Sequence, residues 1–145
     1  MTQPRGIAWS SVHTPSLEDF RLLGEAAFAS LPDAFRALAG DVVILVEDFP
    51  TEDVLDSLGI ESEYDLLGLY QGVSLIEGGA NDPKTEPTMV FLYRRPILDY
   101  WAEYEDSLGS IVTHVLVHEI GHHFGLSDAD MAAIEARADE DAAGP

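Results

Sequence analysis

The 145-residue sequence contains no cysteine and offers few long apolar runs. Without cysteine, a disulfide framework and a metal site built on thiolates are both excluded. No apolar stretch is long enough to span a bilayer, and no N-terminal segment joins a basic start to an apolar run. We therefore expect a cytoplasmic protein without a membrane anchor.

Basic residues are also scarce, with 7 Lys and Arg against 27 Asp and Glu, a formal net charge of −20. This charge repels nucleic acid and anionic membranes, so neither is expected as a partner. It can attract cationic peptides, although the simpler interpretation, which we favour, is that it keeps the protein soluble. The length and a hydrophobic fraction of 46% are typical of one globular domain.

The most informative stretch begins at His118 and ends at Asp128. On a helix His118 and His122 lie one turn apart on one face and can hold one cation. Gly125 can end the helix in a left-handed conformation, which allows Asp128 to return as a third ligand. Two imidazoles, one carboxylate and an open position suit a catalytic Zn²⁺. Glu119 lies off the line to the metal and can take a proton from metal-bound water.

The sequence H-E-I-G-H-H-F-G-L-S-D at 118–128 resembles the active-site helix of zincin metallopeptidases, in the metzincin pattern H-E-x-x-H-x-x-G-x-x-(H/D). It also resembles a small bacterial family of predicted zincin-like proteases, described as a minimal matrix-metalloprotease-like domain. The similarity extends to residues 67–72 and 93–97, and thus covers most of residues 16–132.

This resemblance implies a zinc metallopeptidase acting on a peptide or protein substrate. It implies His118, His122 and Asp128 as the metal ligands and Glu119 as the general base. It also implies a zincin-like α+β (α/β) single domain, in which a small twisted sheet packs on the active-site helix. Substrate would then pair with an exposed edge strand, for which residues 66–76 are the best candidate; an ordinary connecting hairpin is an equal alternative.

The chain departs from the metzincin pattern in two ways. Asp128 stands where most metzincins have His, and Met131 comes too early to form their Met-containing turn. The floor of the site must therefore be built differently. Two alternatives stay open: a catalytically weak or inactive metal-binding or interaction module, and a zinc hydrolase acting on other substrates. The oligomeric state is not predicted.

The pattern along the chain predicts a flexible arm over 1–13, the domain over 14–138 and an acidic frayed tail over 139–145. Residues 42–46 are predicted to form a buried central strand and residues 88–93 a second strand, with a loop over 77–87. Capping boxes at Ser16 and Asp19 and at Ser127 and Asp130 predict the starts of two helices, the second of which ends near Ala138. A further helix is expected to begin with Asp33 as its cap and to end at Gly40. Shorter signals predict a helix over 51–58 before Gly59, a helix after Pro96 and a helix that starts at Ser107 or Ser110.

His114 lies one turn before His118, and its direction drifts away from the ion. It is predicted to lie in the core or to support the metal ligands, and an additional ligand is the alternative. Gly121 inside a helix is unfavourable, and close packing beneath the metal is the expected compensation. Of the other polar candidates, Tyr93, Arg94 and Arg95 are assigned packing or surface roles. His123 is expected to point elsewhere and to hydrogen-bond to packing groups, and His13 is expected to be inert.

Overall fold

The structure is a computed structural model, which describes the backbone of residues 8–71 and 88–143 and the side chains of these ranges through residue 138. The start of the predicted N-terminal arm, the loop predicted over 77–87 and the end of the candidate edge segment at 66–76 lie outside the described residues. The arm is described from Ala8 and contains a 3₁₀ turn at Trp9–Ser11.

The described residues form a three-stranded mixed sheet packed with six α-helices, a small α+β domain. The strands are β1 (Val42–Glu47), β2 (Gly68–Gln71) and β3 (Thr88–Tyr93). The helices are α1 (Leu17–Ala29), α2 (Asp33–Ala39), α3 (Glu52–Leu58), α4 (Arg94–Glu103), α5 (Leu108–His123) and α6 (Asp128–Ala143).

The strand order is β1-β3-β2, with β1 parallel and β2 antiparallel to β3. The prediction that residues 42–46 form the central strand was wrong, because β3 occupies the centre of the described sheet and β1 lies at an edge. The apolar run in β1 is continuous, yet Val43 is 40% exposed. A row of apolar residues predicts a strand, but the pairing of strands decides which one is central.

Side-chain caps fix where the helices begin. The Ser16 hydroxyl accepts from the Asp19 N–H at 3.0 Å and the Asp19 carboxylate accepts from the Ser16 N–H at 2.9 Å, which confirms the predicted capping box. Ser107 caps α5 by accepting from the Ser110 N–H at 3.1 Å. Asp33 does not cap α2 as predicted, because it is the first helical residue and Pro32 precedes it as the N-cap.

Helix α5 is the central element of the core. Its buried side chains are Ile111, Val112, Val115, Leu116, Val117 and Ile120. It contacts the sheet, α1, α4 and α6. On the sheet, α1 approaches closely at Gly24, where a Cβ atom would lie 2.9 Å from Leu92 Cδ1 and 3.1 Å from Ile44 Cγ2. Helix α5 itself packs directly against β2 and β3.

The end of α5 is a Schellman turn. Gly125 has φ 75°, the Leu126 N–H donates to the Gly121 carbonyl at 2.9 Å, and the Gly125 N–H donates to the His122 carbonyl at 3.1 Å. The predicted chain reversal at Gly125 is therefore confirmed.

Helix α6 then begins with the predicted capping box, in which the Ser127 hydroxyl accepts from the Asp130 N–H at 3.0 Å. It extends to Ala143, beyond the predicted end near Ala138. Fraying of the acidic end stays a prediction.

Arg94 connects three distant parts of the domain. Its Nε donates to the Pro15 carbonyl at 2.7 Å and its Nη1 to the Asp48 carboxylate at 2.9 Å. The side chain is 17% exposed. Arg94 therefore has the packing role that was favoured for it. None of the helices in the described part of the chain has the length and apolarity needed to cross a membrane.

Candidate metal centre

Three histidines follow one another along a face of α5. The ring centroids of His114 and His118 lie 3.9 Å apart, and those of His118 and His122 lie 5.5 Å apart with perpendicular planes. Burial of the His118 ring and the charge of the nearby His114 both lower the pKa of His118. Glu135 acts in the opposite direction. A neutral imidazole is the form that binds a metal ion.

Glu119 lies beside the histidines in a half-buried position at the sheet. Burial raises the pKa of its carboxyl, while a hydrogen bond from the Tyr70 backbone N–H and the nearby His122 act in the opposite direction. The Tyr93 N–H donates to the Leu67 carbonyl at 3.0 Å. Because backbone groups alternate along an antiparallel strand, Tyr70 turns its N–H away from β3. The Glu119 carboxylate therefore lies beside the edge of β2 that pairs with no other strand among the described residues.

Gly68 allows β2 to approach α5 at this point. A Cβ atom on Gly68 would lie 2.5 Å from Val115 Cγ1, 3.0 Å from the Phe91 carbonyl oxygen and 3.6 Å from Glu119 Cγ. Distances below 3.0 Å force the neighbouring atoms to move. The absence of a side chain at Gly68 is thus what brings the edge strand to the Glu119 carboxylate.

A carboxylate from α6 joins the histidines. Glu135 Oε1 lies 2.8 Å from His114 Nδ1, and Glu135 Oε2 lies 3.2 Å from His118 Nε2. One ligand atom from each of the three residues falls within 4.8 Å of the other two. Among the described residues, His114, His118 and Glu135 are the one group of three metal-ligating side chains that converges in this way.

Asp128 lies elsewhere. It is the exposed first residue of α6, and the predicted trio of His118, His122 and Asp128 is not a converging group within the described part of the chain. Ligation of one ion by all three residues would therefore require a change in the position of these side chains. The role of Asp128 stays a prediction.

The donors of the converging cluster are suitable for zinc. Zinc in proteins is held by imidazole nitrogens and carboxylate oxygens at about 2.0–2.2 Å, which places tetrahedral ligand atoms roughly 3.3 Å apart. Glu135 meets His114 in a hydrogen bond of 2.8 Å and His118 in an ion-pair contact of 3.2 Å, and a zinc ion held by the three side chains would replace these contacts. The His118 and Glu135 side chains are 27% and 22% exposed, so solvent reaches the cluster.

Beneath the histidines, Met131 packs on Gly121. Met131 is fully buried, and a Cβ atom at Gly121 would lie 2.5 Å from its Sδ. The predicted close packing at Gly121 is confirmed. Met131 comes too soon after the motif to form the Met-containing turn of metzincins. From α6 it nevertheless packs against α5, the helix that carries the histidines.

His123 points away from the cluster and stacks on Tyr70 of β2, with ring centroids 4.0 Å apart and planes inclined by 26°. The prediction that His123 points away from the metal ligands is confirmed, and its contact is aromatic stacking where a hydrogen bond to packing groups was expected. The contact joins the C-terminal end of α5 to the edge strand that carries the hydrogen bond to Glu119.

Sequence reasoning missed Glu135. The available signal was its position relative to the turn: His118 lies seven residues before Gly125 and Glu135 lies ten after it. In two antiparallel helices, residues at similar distances from the turn face each other. The contact between Gly121 and Met131 follows the same rule.

Together, the mixed sheet, the central helix with its H-E-x-x-H residues and the imidazole–carboxylate cluster define a small zincin-like domain. A family model described as zincin-like metallopeptidase matches residues 39–138, more than half of the chain, and the protein belongs to that family. No curated protein matches the chain. Family membership supports metal binding and peptidase activity as the general function.

Proposed function

We propose that this protein is a zinc-dependent metallopeptidase that hydrolyses peptide bonds, with Glu119 as the general base. The observation that carries the proposal is the position of Glu119, next to His118 and at the free edge of β2 in the described sheet. Membership of the zincin-like metallopeptidase family supports the same activity.

The zinc ligands of the proposal are His118, His122 and Asp128, the metzincin-type set. Zinc bound by such ligands acts as a Lewis acid, which lowers the pKa of a coordinated water and polarises a carbonyl group. His118 and His122 lie one turn apart on α5 with ring centroids 5.5 Å apart, and sharing one ion would require the His118 ring to turn its Nε2 away from Glu135.

Glu119 performs the proton transfers in this proposal. Its carboxylate accepts the proton of the attacking water and delivers it to the leaving amine. Burial raises its pKa and so makes the carboxylate a better proton acceptor at neutral pH. The Tyr70 N–H holds one side of the carboxylate in place.

The peptide substrate would lie along β2. An edge strand offers unpaired backbone groups that can pair with an extended peptide. The net charge of −20 favours peptides with basic residues, because opposite charge accelerates encounter.

Replacing Glu119 by Gln tests this function. The Glu119→Gln variant should retain zinc and lose about 10²- to 10⁴-fold in peptide cleavage, the usual contribution of general base catalysis. Glu103→Gln is the matched control, since Glu103 is an exposed carboxylate on α4. Cleavage of a peptide library by Glu119→Gln at the parental rate would exclude the mechanism.

A second candidate is a metal-binding or interaction module with the same fold. It is favoured by the absence of convergence among His118, His122 and Asp128 within the described residues. Zinc-loaded parent protein that cleaves no peptide in the same library would support this module and exclude the peptidase.

A further inference from the structure

The cation-binding groups of this domain extend beyond the H-E-x-x-H residues. His114, His118 and His122 occupy successive turns of α5, and Asp128 and Glu135 lie on the facing helix α6. The two acidic residues are seven positions apart, which is about 10 Å along a helix axis. Glu135 meets His114 and His118, whereas Asp128 is not part of this converging group. The hairpin therefore offers two positions for a cation.

We propose that His114, His118 and Glu135 form a divalent cation site at the junction of α5 and α6, separate from the site expected at His122 and Asp128. The two positions share His118. The inference concerns metal binding alone, so it holds whether or not the protein cleaves peptides.

The geometry of Glu135 carries this inference. Each of its two oxygens faces a different imidazole nitrogen, at 2.8 Å for His114 and 3.2 Å for His118. The three side chains come from two helices, so the arrangement depends on the packing of α5 against α6. That packing is fixed nearby by Met131, which is buried on Gly121.

The donor chemistry selects the class of ion. Two imidazoles and one carboxylate favour zinc, cobalt or nickel over calcium and magnesium, which prefer oxygen ligands. The His114 side chain is 56% exposed, which gives an ion a path from solvent. The net charge of −20 raises the local concentration of cations.

Sharing of His118 has a consequence for occupancy. The His118 Nε2 that faces Glu135 cannot at the same time face an ion held by His122 and Asp128. An ion at one position therefore disfavours an ion at the other through the orientation of a single ring.

Cobalt(II) titration of the chelator-treated full chain carrying Asp128→Asn, which weakens the site expected at His122 and Asp128, tests the role of Glu135. Glu135→Gln keeps the shape of the side chain and removes the anionic ligand, so cobalt affinity should fall at least tenfold. Glu103→Gln, which removes the same charge from an exposed site on α4, should bind cobalt as the parent does. Circular dichroism verifies that both variants are folded. Affinity of Glu135→Gln within twofold of the parent would overturn the proposal.

A second variant tests contact between the ion and residue 114. The chain has no cysteine, so His114→Cys introduces its one thiol. A thiolate bound to cobalt produces an intense charge-transfer band in the near ultraviolet. We expect this band in cobalt-saturated His114→Cys and not in His123→Cys, whose residue on the same helix faces Tyr70. A saturated His114→Cys protein without the band would refute ligation at this position.

These measurements separate the inference from the proposed function. Peptide cleavage is not among the readouts, so an inert protein leaves the expected cobalt results unchanged. Conversely, loss of the cobalt effects would leave the assignment of Glu119 as general base intact.

Discussion

Gly68→Ala should destabilise the domain by forcing β2 away from α5. An added Cβ would lie 2.5 Å from Val115 Cγ1, which is 0.9 Å short of the 3.4 Å at which ordinary contact begins. Val115 is 5% exposed and branched at Cβ, so it has little freedom to move. The Phe91 carbonyl oxygen, at 3.0 Å, restricts movement in the other direction.

The magnitude follows from two opposing effects. Overpacking a rigid core by one methyl group costs about 1–3 kcal/mol. Gly68 does not have a positive φ, so alanine can adopt its backbone conformation. Alanine also lowers the entropy of the unfolded chain, which raises the unfolding free energy by about 0.4–1 kcal/mol. The net loss is about 1–2 kcal/mol, or roughly 2–8 °C in melting temperature for a domain of this size.

Thermal and urea unfolding followed by circular dichroism measures this loss. Gly109→Ala is the matched control, because a Cβ atom at Gly109, in the first turn of α5, meets nothing within 4 Å. That variant should be more stable than the parent by about 0.4–1 kcal/mol. A Gly68→Ala protein as stable as Gly109→Ala would refute the close approach of β2 to α5.

Two other predictions concern the core around the site. Gly121→Ala should lower the unfolding free energy by up to about 2 kcal/mol, because overpacking against Met131 costs about 1–3 kcal/mol and the higher helix propensity of alanine offsets about 1 kcal/mol. Urea unfolding of the double variant with Met131→Ala should show less than additive loss, and strict additivity would contradict the clash. Tyr93 has its pKa raised to about 12, first by burial and then by Glu47 and Glu119. Because the folded form holds this proton more tightly than the unfolded chain, stability should fall by about 2 kcal/mol between pH 10 and 12. Tyr93→Phe should show a smaller fall than the parent in urea unfolding across that range, and an equal fall would contradict the assignment.

Signals confined to a few consecutive residues predicted the local structure well. The capping pairs at Ser16 and Ser127 and the chain reversal at Gly125 depend on side chains that bond within three or four residues of themselves. Such interactions are fully specified by the local sequence. The same is true of the single-turn spacing of His118 and His122.

Features that depend on distant contacts were less accessible. The apolar run in β1 does not indicate the order of the strands. Strand β3 is central in the described sheet because it pairs with β1 on one side and with β2 on the other. The meeting of Glu135 with His118 depends on how α6 packs on α5, a relation that no spacing rule within one helix contains. The orientation of Asp128 likewise depends on the turn and not on the motif alone.

The packing of α1 on the sheet determines which fragment of the protein can be studied alone. The family match begins at residue 39, whereas α1 spans Leu17–Ala29. Yet Phe20 on α1 is fully buried, and Gly24 sits directly on Leu92 of the central strand. A recombinant protein trimmed to the matched segment would expose one side of β3 to water and lose the carbonyl of Pro15 as a partner for Arg94. Expression should therefore start upstream of Pro15, well before the recognisable part of the sequence.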